Sequence, residues 1–163
     1  MEAESRAYYE LHTGLTVKQV GFVMRDDGVC GCSPDALVID DGKYVGVVEL
    51  KNHMPDAHVR YLLEGVIPTE HKVQLHGHLV VTGLPFCDLL LYCPGFPPLL
   101  LRQEPDTLTQ KLRDCLEQFD AEYKAALSRI RQIAERGVEK PKAKGLFEFP
   151  EGIADAVAHV LGG

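Results

Sequence analysis

Two short blocks of the sequence decide the fold: Ser33-Pro34-Asp35-Ala36-Leu37-Val38 and Val47-Val48-Glu49-Leu50-Lys51. Both blocks contain runs of apolar residues, and Asp40-Asp41-Gly42-Lys43 between them has the composition of a tight turn. The sequence therefore predicts a β-hairpin that places Asp35 near Glu49 at one edge of a sheet. Glu49 and Lys51 are two positions apart, so in a strand their side chains point to the same face.

The residue types in this hairpin favour a metal site. Two carboxylates that converge on one point repel each other, and oxygen ligands suit Mg²⁺, with Mn²⁺ as a substitute. A divalent ion can orient a phosphate and lower the pKa of a bound water, and Lys51 beside it can hold or deprotonate that water. The alternative is that Asp35 is an ordinary turn residue, and that Glu49 and Lys51 form a surface ion pair. Glu49 lies at the end of a run of β-forming residues, where a carboxylate is unexpected. This position favours the metal-site hypothesis over the surface ion pair.

The order of the motifs resembles a known nuclease family. Pro34-Asp35 followed by Glu49-Leu50-Lys51 resembles the PD-(D/E)xK signature, and the wider context resembles the lambda exonuclease and YqaJ-like viral recombinase family. That family carries a Ser-Pro-Asp-Gly-Leu block, a Glu-x-Lys block and a later helix with a glutamine. The matching helix here contains Val73-Gln74-Leu75 and ends at Val81-Thr82-Gly83, and Ala36 stands where the family usually has glycine. The similarity covers roughly residues 1 to 130.

The first helix also resembles one in this family, which carries an acidic residue near the metals. Glu2 is the match because its spacing to Thr13-Gly14 agrees, and Glu4 is the alternative if the register shifts. Both acids could instead be solvated residues that favour the start of a helix. Family members usually carry a segment ahead of this helix that helps to grip the DNA end, and the sequence printed here starts inside the helix.

The resemblance implies a 5′→3′ exonuclease that hydrolyses phosphodiester bonds of linear duplex DNA in phage-type recombination. It implies that Asp35, Glu49 and the backbone carbonyl of Leu50 bind one or two Mg²⁺ ions. It implies that Lys51 orients or activates water, that Glu2 assists near the second metal and that Gln74 steadies the site. The family has a Gln-x-Gln pair, so His76 is the alternative to Gln74.

The resemblance also implies partners. The expected assembly is a homotrimeric ring that acts on DNA and works with a single-strand annealing protein. The alternative function is a non-catalytic DNA-binding or assembly subunit that keeps the nuclease core. The intact set of Asp35, Glu49 and Lys51 argues against that alternative.

The composition indicates one globular domain. The chain has 163 residues, of which 45% are hydrophobic and 25% are charged. We expect a nuclease core over residues 1–136, and a basic linker with a C-terminal docking segment of the same domain over 137–163. The net charge of −7 argues against tight nonspecific binding of duplex DNA by a lone subunit.

Several classes of protein are disfavoured by the sequence. No apolar run approaches the about 20 residues of a transmembrane helix, and the acidic residues after Met1 do not resemble a signal peptide. Five irregularly spaced cysteines indicate reduced thiols in a cytoplasmic protein without an iron–sulfur cluster. Zinc is disfavoured because three histidines of one helix do not converge, namely His71, His76 and His78.

The pattern as a whole predicts an α/β, restriction-endonuclease-like core with a mixed central sheet of about five strands flanked by helices. Besides the hairpin, we expect helices at 2–12, 69–82 and 107 to about 136, and strands at 15–24, 86–93 and 99–102. The segment 52–69 is a short helix or a loop, in which His58 and Arg60 are phosphate contacts or solvated residues. Val73 is expected on the buried side of its helix, and the apolar stripe of the last helix is expected to cover one face of the sheet.

Overall fold

The computed structural model describes residues 2–135, which form four helices and seven strands. The helices are α1 (Glu2–Thr13), α2 (Pro55–Glu64), α3 (Thr69–Thr82) and α4 (Thr107–Glu135). The strands are β1 (Thr16–Lys18), β2 (Val23–Met24), β3 (Gly31–Cys32), β4 (Ala36–Asp40), β5 (Lys43–Asn52), β6 (Cys87–Tyr92) and β7 (Leu99–Gln103). The basic linker and docking segment predicted over 137–163 lie outside the described residues.

The chain divides into two compact units, Met1–Glu122 and Tyr123–Gly163. The first unit contains all seven strands, the helices α1 to α3 and the beginning of α4. Of the second unit, the structure describes residues 123–135, which are helical. Over the part of the chain that is described, no helix combines the length and apolar character that crossing a membrane requires.

The predicted mixed sheet is confirmed. Five strands hydrogen-bond in the order β1-β4-β5-β6-β7, where β5 and β6 run parallel and the other neighbours run antiparallel. The hairpin between β4 and β5 turns through Asp41 and Gly42, which have φ values of 45° and 74°. Left-handed backbone at both positions suits a two-residue hairpin turn. The parallel crossover from β5 to β6 contains α2 and α3.

Helices cover both faces of the sheet. On one face, Val47 packs in a buried cluster with Tyr61 of α2 and with Leu75 and Leu79 of α3. On the other face, a second cluster contains Tyr9 of α1 and the strand residues Val48, Leu50, Ala36, Val38 and Leu90. Because side chains alternate along a strand, the Glu49 and Lys51 side chains emerge on the face that α2 and α3 cover.

The predicted strand over 15–24 is wrong in one respect. The structure divides this stretch into β1, which joins the main sheet, and β2, which pairs with β3 in a separate two-stranded sheet. The register explains the division, because Lys18 pairs with Leu37, one residue from the start of β4. Beyond that point β4 offers almost no further backbone partner, so the chain leaves the main sheet.

Two predictions of buried helix faces are also wrong. Thr109 is the only buried residue within the described length of α4, and Leu108 and Phe119 of its apolar stripe are 37% and 62% exposed. Val73 on α3 is 61% exposed, because this helix contacts the sheet through Leu75 and Leu79. Helical periodicity identifies an apolar side, but it does not say which surface that side meets.

A buried carboxylate joins α1 to the sheet. Asp88 on β6 is 1% exposed and accepts hydrogen bonds from Tyr9 Oη at 2.7 Å and from Arg102 Nε and Nη2 at 2.7 and 2.8 Å. The Arg102 guanidinium lies 3.6 Å from the centroid of the Phe86 ring. Burial and the bond to Asp88 raise the pKa of Tyr9 far above its ordinary value, so Tyr9 remains a donor. The network fixes the orientation of the helix that carries Glu2.

We expect Asp88→Asn to destabilise the protein by about 1–3 kcal/mol, because an amide that also donates cannot accept all the donors of Tyr9 and Arg102. Urea unfolding measures the free energy. Tyr9→Phe removes one of these bonds and should cost about 1 kcal/mol, and the exposed control Glu104→Gln should have little effect. A free energy of unfolding for Asp88→Asn within about 0.5 kcal/mol of the wild type would contradict the role of this network.

Candidate active site

The structure brings the two predicted carboxylates to the same end of the hairpin. Asp35 lies directly before β4, and its Oδ2 accepts a hydrogen bond from the Leu50 backbone N–H at 2.6 Å. Glu49, the neighbour of Leu50 on β5, has a side chain that is 3% exposed. The bond to Leu50 therefore fixes Asp35 against the strand segment that carries Glu49 and Lys51.

The backbone of Leu50 faces the same edge as Asp35. The parallel ladder with β6 uses alternate residues of β5, as the bonds from Val47 N to Phe86 O and from His53 N to Tyr92 O, both 3.0 Å, show. In an extended strand the N–H and C=O of one residue point to the same side, and this side alternates along the chain. Since Leu50 directs its N–H toward Asp35, its carbonyl points toward that edge as well.

Both oxygens of the Glu49 carboxylate are held by side chains. Its Oε1 accepts from Lys51 Nζ at 2.6 Å and from Gln74 Nε2 at 2.5 Å. Its Oε2 lies 3.0 Å from His78 Nε2. Burial raises the pKa of Glu49, but the bonds from His78 and Lys51 outweigh it, and the pKa falls below its ordinary value. Glu49 is therefore ionised and fixed in direction at neutral pH.

Asp35 shows the opposite shift. Its pKa is raised first by burial and further by the nearby negative charge of Glu49, while the Leu50 N–H and the Lys51 ammonium act against the rise. The negative charge of Glu49 is thus one of the causes that raise the pKa of Asp35. A cation placed there would stabilise both carboxylates.

The two acids of the first helix occupy different positions. Glu2 accepts hydrogen bonds from Arg6 Nη2 at 3.2 Å and from Gln19 Nε2 at 3.4 Å, and its charge contributes to the raised pKa of Asp35. Glu4 accepts from Tyr92 Oη at 2.6 Å. The structure therefore places Glu2 close enough to Asp35 to influence it electrostatically, with its hydrogen bonds directed to Arg6 and Gln19.

Helix α3 contributes two side chains to Glu49. Gln74 reaches Glu49, whereas His76 is 1% exposed and its Nδ1 lies 2.8 Å from Thr109 Oγ1. Of the two alternatives, Gln74 is the one that the structure places at the carboxylate. The sequence prediction did not include His78 among the site residues, although its signal was present: His78 follows Gln74 by four positions and so shares its helix face.

The residues after β5 differ from the expected phosphate contacts. His58 is fully buried and its Nε2 lies 2.9 Å from the Pro97 carbonyl oxygen, so its assignment as a phosphate contact or solvated residue is wrong. Arg60 is exposed, and its guanidinium lies 5.0 Å from the centroid of the Tyr61 ring. His53 and His71 have pKa values lowered by burial and then by neighbouring cationic groups. Lys51 is therefore the predicted phosphate contact that lies at the carboxylates.

The donor set fits a hard cation that keeps part of its hydration. Within residues 2–135, no group of three or more histidine, cysteine, aspartate or glutamate side chains is arranged to hold a metal. Asp35 and Glu49 supply carboxylate oxygens, and the Leu50 carbonyl points to the same edge. Mg²⁺ usually binds through one or two carboxylates and completes its coordination with water and phosphate. All five cysteines are free thiols, and burial raises the pKa of Cys32 to about 11.

The fold and the site define a class before any comparison. A mixed sheet whose hairpin places an aspartate beside Glu-x-Lys is the arrangement that the PD-(D/E)xK resemblance predicts. A model of the YqaJ-like viral recombinase domain matches residues 1–85 of the chain. The chain belongs to this family. The matched residues include Asp35, Glu49, Lys51, Gln74 and His78.

Comparison with solved structures agrees with this assignment. The structure is similar to the crystal structure of the alkaline exonuclease LHK-Exo from Laribacter hongkongensis, with a TM-score of 0.67, 27% identity and coverage of 83% of this chain and 71% of that chain. The complex of LHK-Exo with dAMP matches with a TM-score of 0.66, 27% identity and coverage of 83% and 70%. Curated proteins give no match. The predicted family and fold class are confirmed.

We expect Asp35→Asn to stabilise the metal-free protein by about 0.5–2 kcal/mol at pH 7, since the amide removes a charge that burial and Glu49 disfavour. The sign depends on pH. Below about pH 4, the unperturbed value, Asp35 is protonated in both the folded and the unfolded state, and the stabilisation disappears. As pH rises from the unfolded pKa toward the raised folded pKa, the unfolded state loses the proton that the folded state keeps, so the difference between the proteins grows, and it levels off above the folded pKa.

Urea unfolding in EDTA between pH 4 and pH 7 measures this difference. Asp40→Asn, on an exposed aspartate of the same hairpin, is the control and should change the free energy little at either pH. An Asp35→Asn protein that is less stable than the wild type at pH 7 would contradict the inferred repulsion.

Proposed function

We propose that this chain is a metal-dependent nuclease that hydrolyses phosphodiester bonds of DNA. The observation that carries the proposal is the convergence of Asp35, Glu49 and Lys51 at one end of β5. Membership of the YqaJ-like viral recombinase family supports it, as does the similarity to an alkaline exonuclease.

We assign Asp35, Glu49 and the Leu50 carbonyl as the ligands for Mg²⁺, with Mn²⁺ as a substitute. When bound, the ion supplies a Lewis acid for the phosphate and lowers the pKa of a coordinated water. The opposite pKa shifts of the two carboxyls support this assignment, because both acids gain from a neighbouring cation. Asp35 Oδ2 accepts the hydrogen bond from the Leu50 N–H, so Oδ1 is the oxygen that we assign to the metal.

Lys51 is the residue that we assign to the attacking water and the phosphate. Its ammonium has three donors, of which one is directed to Glu49 Oε1 at 2.6 Å, and its side chain is 27% exposed. The remaining donors can therefore contact a phosphate oxygen or a water at the open edge. Gln74 holds Glu49 Oε1 from the other side. Glu2, whose charge acts on Asp35, is assigned to assist near a second metal.

The proposal extends to the mode of action. We propose exonucleolytic degradation, which the name of the structural neighbour supports. The 5′→3′ direction and the linear duplex substrate are proposed from the family resemblance alone. A homotrimeric ring and a single-strand annealing partner follow from the family resemblance. The net charge of −7 argues only that a lone subunit would bind duplex DNA weakly.

A linear duplex that carries a label at either the 5′ or the 3′ end of one strand tests this function. With Mg²⁺ the wild type should release the 5′ label early and the 3′ label late, and EDTA should abolish both. Lys51→Ala should lower the rate by about 10²–10⁴-fold, because it removes the group that orients or deprotonates water. Lys43→Ala, at the exposed start of β5, is the control and should retain the wild-type rate.

The possible outcomes separate the alternatives. Early release of the 3′ label would contradict the polarity alone. Binding of DNA without any Mg²⁺-dependent degradation would contradict the nuclease and favour a non-catalytic binding subunit. A Lys51→Ala protein as active as Lys43→Ala would contradict the role of Lys51.

A further inference from the structure

We propose that His78 is a positioning residue that fixes the Glu49 carboxylate by holding one of its two oxygens. The inference rests on the proposed function, because it concerns how Glu49 is presented to a metal and a phosphate. The site residues predicted from the sequence do not include His78. The bond is short enough to matter, since His78 Nε2 lies 3.0 Å from Glu49 Oε2.

The contact determines which imidazole nitrogen carries a hydrogen. An ionised carboxylate only accepts hydrogen bonds, so Nε2 of His78 must be the donor. The Nδ1 atom of His78 is buried and has no hydrogen-bond partner in the described part of the chain. A hydrogen on Nδ1 would be an unsatisfied buried donor, whereas a hydrogen on Nε2 is fully used. The surroundings therefore favour the Nε2–H form.

The contact with His78 means that both oxygens of the Glu49 carboxylate have side-chain partners. Lys51 and Gln74 both donate to Oε1, and His78 contacts Oε2. The last torsion of a glutamate side chain is broad, so contacts on one oxygen alone would let the carboxylate swing. A donor on Oε2 restricts this rotation and keeps Oε1 on the side of Lys51. His78 thus fixes the plane of the Glu49 carboxylate relative to Lys51 and Gln74.

The helix that carries His78 is itself fixed. Leu75 and Leu79 of α3 lie in the buried cluster against the sheet, and His76 contacts Thr109 Oγ1 at 2.8 Å. Thr82 Oγ1 donates to the His78 carbonyl at 2.7 Å near the end of the helix. His78 is 3% exposed, so water competes little for its bond to Glu49. These contacts let an imidazole on α3 act as a rigid support for a carboxylate on β5.

A matched pair of variants tests the inference. The amide nitrogen of glutamine reaches the position of the histidine Nε2, whereas that of asparagine reaches only the position of Nδ1. We expect His78→Asn to lower kcat on linear duplex DNA with Mg²⁺ by about 10–100-fold with KM for DNA unchanged. His78→Gln should retain kcat within about threefold of the wild type, because it restores the donor.

A second readout does not depend on activity. The Kd for Mn²⁺, measured by calorimetry, should rise by about tenfold or more in His78→Asn and stay near the wild-type value in His78→Gln. Urea unfolding of both variants provides the comparison of stability. Equal kcat and equal Mn²⁺ affinity in the two variants would overturn the inference, because only a packing role would then remain.

Failure of the proposed function can be distinguished from failure of this inference. If the wild type neither degrades DNA nor binds Mn²⁺, the nuclease proposal fails whatever the variants do. The bond itself is then examined by nuclear magnetic resonance of ¹⁵N-histidine-labelled protein, in which His78 should carry its hydrogen on Nε2 and its signals should move in Glu49→Gln. A hydrogen on Nδ1, or signals that do not move, would overturn the role of His78.

Discussion

The buried carboxylate of Glu49 is the constraint on which the site depends. An ionised carboxylate that leaves water loses several kcal/mol of solvation unless charged or polar partners replace it. Lys51 on the same strand and Gln74 and His78 on α3 are those partners. The ionisation of Glu49 therefore depends on the packing of α3 against the sheet, because that packing places Gln74 and His78 at the carboxylate. The same contacts that stabilise the charge also fix its direction.

Asp35 differs from Glu49 because its negative charge is less fully compensated by its partners. Its backbone bond to Leu50 fixes its position, but burial and the charge of Glu49 still raise its pKa. An amide or an apolar side chain at position 35 would give the metal-free protein a higher free energy of unfolding. Local arrangements that oppose stability are typical of functional sites, where a ligand supplies the missing interaction. The fold tolerates this arrangement because other contacts, among them the Asp88 network under α1, stabilise the sheet.

The sequence predicted what depends on local pattern and missed what depends on tertiary packing. The hairpin, the strand that follows α3, and the proximity of Asp35 to Glu49 and Lys51 could be read from apolar runs, turn residues and spacing. The division of 15–24 into two strands follows from where β4 begins, which no local pattern reveals. The sequence of α4 has an apolar stripe, but the helical residues in the two buried clusters of the sheet come from α1, α2 and α3. His78 shares a helix face with Gln74, but only the packing of α3 against β5 shows that its imidazole contacts Glu49.

The most direct test of the account is whether Asp35 and Glu49 bind one divalent cation together. Titration with Mn²⁺, followed by electron paramagnetic resonance, measures free and bound ion in the wild type, in Asp35→Asn and in Glu49→Gln. The account predicts binding in the wild type and a loss of affinity of about tenfold or more in each variant, with Asp40→Asn unchanged. An Mn²⁺ affinity that is the same in all four proteins would contradict it.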